Sequence, residues 1–178
     1  AHIGTYTWNL APDFKHTYSF EPTKVTYNFL CSNVLIKGLS NKVNTYNTAL
    51  SETQKVVTFY ERGLDGGTNG LNLDYDDGKW LGNNQANYDI KVNTLDDYKL
   101  INVGFIKIDV EGYELPVLRG AIQTIQNNNY PPILFESWPS INKTNTKLKE
   151  KLFNHLFALG YRIGSTPHPE IFIAKKEI

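Results

Sequence analysis

Hydrophobic and polar positions change period several times along the chain, and each change predicts an element. A short β-prone run at residues 15–20 leads into Glu21-Pro22, and Pro22 suits the first turn of a helix because its missing amide hydrogen is not needed there. Val25, Phe29, Leu30 and Val34 then recur at helical spacing until Gly38 offers an end. Residues 44–50 read as a second strand, and residues 55–60, rich in valine, threonine and aromatics, as a third. The stretch 62–87 is dense in glycine, asparagine and aspartate, too long for an ordinary connection, and reads as an elaborated hairpin loop. Tyr88, Ile90 and Val92 alternate with polar residues, and Thr94-Leu95-Asp96-Asp97 follows as a cap and short helical turn. The nearly continuous apolar run at 103–110 predicts a strand covered on both faces. Leu118, Ala121, Ile122 and Ile125 form one helical stripe that stops at Asn127-Asn128-Asn129, and residues 132–136 give another strand. Residues 147–159 read as an amphipathic helix with Leu148, Leu152, Leu156 and Leu159 on its apolar side and Gly160 at its end. Two closing strands, 161–165 and 170–175, are joined by Thr166-Pro167-His168-Pro169, a connection short enough to make them antiparallel.

Alternating strands and helices ending in a hairpin predict an α/β fold: a doubly wound, Rossmann-like, mostly parallel sheet with a C-terminal antiparallel pair. A length of 178 residues fits a single domain, 1–178. The chain opens inside what looks like a ligand-binding loop with no strand before it, so the domain is expected to lack its first strand at the N-terminus. Eighteen lysines and arginines balance 18 aspartates and glutamates, which argues against nucleic acid or an acidic membrane as partner and favours a small ligand. The single cysteine, Cys31, permits no internal disulfide and is expected in the core of a protein from a reducing compartment. Apolar runs fall short of the roughly 20 residues that span a bilayer, and the expected location is cytoplasmic.

The candidate chemistry gathers where an apolar strand runs into carboxylates. In open α/β sheets ligands bind outside the carboxyl ends of the strands, which is where Asp109, Glu111 and Glu114 fall. Asp109 and Glu111 are expected to divide the site between them, one facing the donor and the other the acceptor. Glu111 is the preferred general base, Asp109 the orienter of donor or substrate, and Lys107 is placed to pair with a carboxylate; Glu136 and His168 are alternative bases. The competing reading is that Asp109 and Glu111 cap the next helix. Gly4, beside His2 and Thr5, lets backbone approach a ligand, although an ordinary turn before a helix explains the same residues. Glu21 follows Gly4 by close to the roughly 20 residues that separate a glycine loop from a ribose-gripping acid, or it is a solvated acid at a helix start. No metal is expected: two carboxylates without a ligand spacing are poor evidence, and Asp74-Tyr75-Asp76-Asp77-Gly78 departs from a calcium loop. His16 and His155 read as surface residues, and Trp80 and Trp138 as packed or lining an acceptor pocket.

The segment Ile106-Lys107-Ile108-Asp109-Val110-Glu111-Gly112, followed by Leu118-Arg119-Gly120-Ala121, closely resembles the FkbM-type S-adenosylmethionine-dependent methyltransferases. Phe20-Glu21-Pro22, Thr94-Leu95-Asp96-Asp97 and Phe135-Glu136 extend the likeness over nearly the whole chain, and Ala1-His2-Ile3-Gly4-Thr5 resembles the second half of the family's glycine-rich loop, with His2 in place of the usual asparagine. The resemblance implies a class I methyltransferase fold and S-adenosyl-L-methionine as cofactor. It implies donor contacts from His2, Gly4, Thr5, Glu21 and Asp109, with Asn33 and Ala49 near the adenine. It further implies O-methylation of a hydroxyl on a sugar, glycan or small molecule. A nucleotide-dependent oxidoreductase and a non-catalytic carbohydrate-binding remnant are the rival readings, the first opposed by the terminal hairpin.

Overall fold

The computed structural model describes residues 1–61, 86–138 and 143–176. The loop 62–85, with Trp80 and the Asp74–Gly78 run, lies outside the described residues. Two compact units emerge, interleaved in sequence: one of residues 1–49 and 55–93, the other of 50–54 and 94–178.

The first unit opens with α1 (Thr5–Leu10) and a 3₁₀ turn (Ala11–Asp13) that carries Pro12 early, where proline is tolerated. β1 (Thr17–Phe20) and β2 (Val43–Tyr46) pair in parallel, Thr17 opposite Val43, with α2 (Lys24–Ile36) as the crossover between them. That is a βαβ unit. Leu30 and Val34 of α2 meet Ala11 and Val43 in a dry cluster, with Tyr27 and Leu39 at its edge. The helix ends as its glycine suggests: Gly38 has φ 67°, its N–H reaches the Leu35 carbonyl, and the Leu39 N–H reaches that of Val34, a Schellman closure. Its buried face, however, is Thr26, Leu30 and Val34, whereas Val25 and Phe29 are 53% and 56% exposed. The buried stripe is therefore rotated from the expected one, with Thr26 taking the inward place expected of Val25. Cys31 is half-buried, its sulfur 3.3 Å from the Thr45 hydroxyl, and is not a core residue as expected.

The strand expected at 44–50 is divided. Asn47 leaves the ladder and donates to the carbonyls of Glu21 (2.8 Å) and Pro22 (3.0 Å), while the Thr48 hydroxyl donates to that of Lys91 (3.0 Å). β3 (Ala49–Leu50) therefore joins a different sheet, of order β3-β5-β4, with β4 (Lys55–Glu61) and β5 (Ala86–Asn93) antiparallel as the hairpin reading requires. Ala86 and Asn87 belong to β5, so the long connection is shorter than 62–87. On β5 Val92 is buried while Asp89 and Lys91 face solvent, the alternation anticipated.

In the second unit β6 (Ile106–Ile108) and β7 (Ile133–Glu136) are parallel, linked by α3 (Glu114–Arg119) and α4 (Ile122–Asn127), a second βαβ unit. α5 (Lys143–Ala158) then leads to β8 (Tyr161–Ser165) and β9 (Ile171–Lys176), which pair antiparallel; β9 also runs antiparallel to β7, giving the order β6-β7-β9-β8. Ile133, Phe135, Leu118, Ile125 and Leu156 are fully buried. Across the described residues the parallel pairs β1–β2 and β6–β7 are matched against three antiparallel ones, β4–β5, β7–β9 and β8–β9, so the expected mostly parallel sheet is a mixed α/β arrangement.

β6 is much shorter than the 103–110 strand expected, and only Ile108 of its three residues is buried. Asn102 turns left-handed (φ 57°) and Asn128 holds the Val103 N–H, so the chain reaches ladder geometry late. The single helix expected around Leu118 to Ile125 breaks at Gly120-Ala121. Asp96 causes the restart: its carboxylate accepts the N–H groups of Gln123 (3.0 Å) and Thr124 (2.7 Å) and the Thr124 hydroxyl, capping α4 from a distant loop. Thr94 and Asp97 bond each other's main-chain amides in a reciprocal box. Gly120 has a steric reason, because a Cβ there would lie 1.9 Å from the Ser51 carbonyl oxygen. Arg119 beside it pairs with Glu52 at 3.2 Å. His155 is half-buried, not a surface residue; burial and the nearby Arg119 push its pKa down, and its Nε2 has no hydrogen-bond partner. Among the described residues no helix is long and apolar enough to cross a membrane.

Candidate functional site

Two clusters gather the candidate residues, one in each unit. In the first, Gly4 takes φ 96° immediately before α1, and a Cβ there would stand 2.7 Å from Leu30 Cδ1, so only glycine fits. His2 is also left-handed (φ 53°), a conformation that histidine tolerates better than most residues. Glu21, at the end of β1, is 7% exposed. Its Oε2 accepts the His2 N–H at 2.7 Å and its Oε1 the Thr23 N–H at 3.0 Å. The Asn33 amide donates to the Ile3 carbonyl at 2.9 Å. Glu21 and Asn33 thus pin the glycine loop from two sides, and the expected adenine-side residue Asn33 is engaged with main chain. The Ala1 amino group also reaches Oε2, at 3.5 Å, so of the about four lone-pair sites a carboxylate offers one remains on Glu21. Thr5 is exposed at the first position of α1, and Ala49 is buried in β3.

In the second cluster β6 delivers Lys107, and the chain beyond Ile108 turns back on itself. Glu111 (φ 55°) and Gly112 (φ 89°) are consecutive left-handed residues, the first costing about 1–2 kcal/mol for a side chain with a Cβ. Asp109 and Glu111, expected toward opposite sides of the site, converge instead, as residues two positions apart do even in a regular strand. One oxygen from each, together with one from Glu136 at the end of β7, lies within 4.8 Å of the others. Three such oxygens could hold a hard divalent cation. Protonation relieves the same crowding without an ion. Lys107 pairs with Asp109, as its position suggested. Glu114, 4% exposed in the first turn of α3, accepts the N–H groups of Val110 (3.3 Å) and Gly112 (3.2 Å) on one oxygen. The indole of Trp138 lies over Gly112, 3.4 Å from where a Cβ would be.

Crowding sets the protonation. Burial first, and then the charges of Asp109, Glu114 and Glu170, push Glu111 up to about 7. Burial pushes Glu114 to about 7 as well, against the pull of its amide donors. Glu136 rises to about 8 through burial and through donating its proton to Asp109. Asp109 moves the other way: its crowded surroundings oppose ionisation, but the hydrogen bond from Glu136 and the ammonium of Lys107 outweigh them and lower its pKa.

Sequence reading found Lys107, Asp109, Glu111 and Glu136, and the structure brings these four together. His168 sits exposed in the β8–β9 turn, where its Nδ1 accepts the Glu170 N–H at 3.4 Å. Glu170 was missed, since its proximity to Glu111 comes only from the return of β9, and no local signal marks it. The part of Glu114 was missed too, although its spacing after Gly112 is short enough for a side chain to reach back over one turn.

The methyltransferase FkbM domain family matches residues 1–163. No curated protein matches the chain. A solved structure, methyltransferase FkbM from Methylobacillus flagellatus KT, is similar in fold with a TM-score of 0.67 at 20% sequence identity, covering 98% of this chain and 41% of that one. This chain therefore spans well under half the length of that relative. With the family pattern running through both clusters and most of the sequence between them, the chain belongs to the FkbM methyltransferase domain family.

Proposed function

We propose that this chain is an S-adenosyl-L-methionine-dependent methyltransferase that methylates a hydroxyl group on a sugar, glycan or small molecule. The observation that carries the reading is Glu111: a half-buried carboxylate raised to about 7 beside an ionised Asp109, the poise a general base needs near neutral pH. Family membership supports a methyl donor, and the bound donor would supply a sulfonium carbon already activated for displacement. Gly4 and the loop it shapes would admit the donor's close approach, and the remaining lone-pair site of Glu21 would accept a ribose hydroxyl. Ala49 would lie against the base, and Asn33 would act through the loop it holds.

Glu111 would take the acceptor's hydroxyl proton as its oxygen attacks. Asp109, held by Lys107 and by the proton on Glu136, would orient the acceptor. Holding the reactants in line contributes up to about 7–11 kcal/mol, and the base a further ~10²–10⁴-fold. The finer fold, a doubly wound Rossmann-like sheet, belongs to the same reading and is supported by the two βαβ units and the closing hairpin. A cytoplasmic setting accords with the lone Cys31.

The test combines calorimetry with S-adenosylmethionine and radiolabelled methyl transfer to a glycan array. Wild type is expected to bind the donor and label a hydroxyl; Glu111→Gln is expected to bind it equally and lose turnover by ~10²–10⁴-fold. Heat from NAD and none from S-adenosylmethionine would overturn the proposal in favour of the oxidoreductase.

A further inference from the structure

We propose, resting on the reading of Glu111 as the base, that Glu114 is its positioning residue: the buried Glu114 carboxylate fills the amide concavity at 110–112 and holds Glu111 in its left-handed conformation. Nothing in the chemistry of methyl transfer calls for a third carboxylate buried behind the reacting ones. Glu114 is nonetheless 4% exposed and directs one oxygen at two amides, Val110 N–H at 3.3 Å and Gly112 N–H at 3.2 Å. Those amides flank Glu111 on either side. Fixing both peptide groups fixes the torsions between them, so an unfavoured φ of 55° is over-determined by its neighbours. Successive N–H groups converging on one point form an anion-binding nest, and here the anion comes from the chain itself. Trp138, packed over Gly112, closes the other side of the turn.

Without the Glu114 oxygen both amides would lose their acceptor, and Glu111 would relax toward the right-handed region, carrying its carboxylate away from Asp109 and Glu136. The ionisable groups acting on Glu114 are Asp109 beyond β6, Glu111 in the turn and Glu136 at the end of β7, all acidic. A neutral carboxyl accepts hydrogen bonds more weakly than a carboxylate. The clamp therefore tightens as pH rises through about 7, the range in which Glu111 becomes a competent base.

Nuclear magnetic resonance on the labelled chain tests this without an acceptor. In wild type the amide protons of Val110 and Gly112 are expected to shift together with the Glu114 side-chain carboxyl carbon, with one midpoint near 7. In Glu114→Gln, which keeps the shape, those two amides are expected to lose that pH dependence and the Glu111 midpoint to fall, because a negative neighbour is gone. Glu114→Ala is expected to speed hydrogen exchange at both amides more than tenfold; should it fail to fold, the glutamine variant carries the test alone. Amides that ignore the Glu114 titration, or a Glu111 midpoint unmoved in Glu114→Gln, would overturn the proposal. Neither result depends on donor binding or turnover, so failure here is distinct from failure of the methyltransferase reading.

Discussion

Glu21 and Glu111 are both family-motif acids at the mouths of parallel strands, yet their surroundings treat them oppositely. Glu21 has an amide N–H on each oxygen and stands as a fixed post for the glycine loop. Glu111 lies half-buried among other carboxylates, and burial first and their charges next raise its pKa to about 7. Amides organise a negative charge; neighbouring acids make it reactive. Position in the strand and motif membership alone do not separate a structural acid from a chemical one, whereas the partners of each oxygen do.

Substitutions can break or sharpen this contrast. The largest effect is expected at Gly4→Ala, which combines a left-handed φ with a 2.7 Å clash against Leu30: a loss of about 2–4 kcal/mol in urea unfolding, with donor affinity falling alongside. Glu21→Gln leaves one of its two amide partners facing an NH₂ group and is expected to cost about 1–3 kcal/mol in urea unfolding. An unchanged unfolding midpoint would remove Glu21 from the structural class.

Gly112→Ala meets Trp138 only at 3.4 Å, an ordinary contact, so the left-handed φ alone sets its cost at about 1–2 kcal/mol, read from the denaturation midpoint. The smallest effects come from charge. Because Glu111, Glu114 and Glu136 have folded pKa values near 7, 7 and 8, above their ordinary value of 4.5, the folded state binds more protons than the unfolded one. Their stabilising contribution is full below about pH 4.5 and is lost as pH rises through 7 to 8. Glu136→Gln is expected to flatten that decline in a series of thermal melts by about 1 kcal/mol, allowing for solvent screening. An unchanged slope would show that the carboxylates are too well solvated to couple.

The acidic turn and both helical crossovers were legible because short-range pattern determines them: Ile106 and Ile108 are apolar, Pro22 opens a helix, and Gly38 closes it. The hidden parts depend on residues far away in sequence. Val25 and Phe29 looked like core because periodicity marks a stripe without saying which edge of it faces inward. The break at Gly120 is imposed by Asp96, some two dozen positions upstream, and the late start of β6 by Asn128 holding Val103. At the candidate site the residue types were readable, but Glu170 enters through a strand at the far end of the chain. The occupancy of Glu21 and Asn33 was invisible because a hydrogen bond to main chain leaves no trace in residue identity.

The strip Leu50–Gln54 sits in sequence between two stretches of the first unit yet belongs to the second, its Ser51 carbonyl seated where Gly120 lacks a side chain. Dissection by one cut is therefore ruled out: cleaving after Asn93 would yield a C-terminal fragment robbed of the five residues that fill its own surface at Gly120. Anyone wishing to study that half in isolation would have to splice the strip back on.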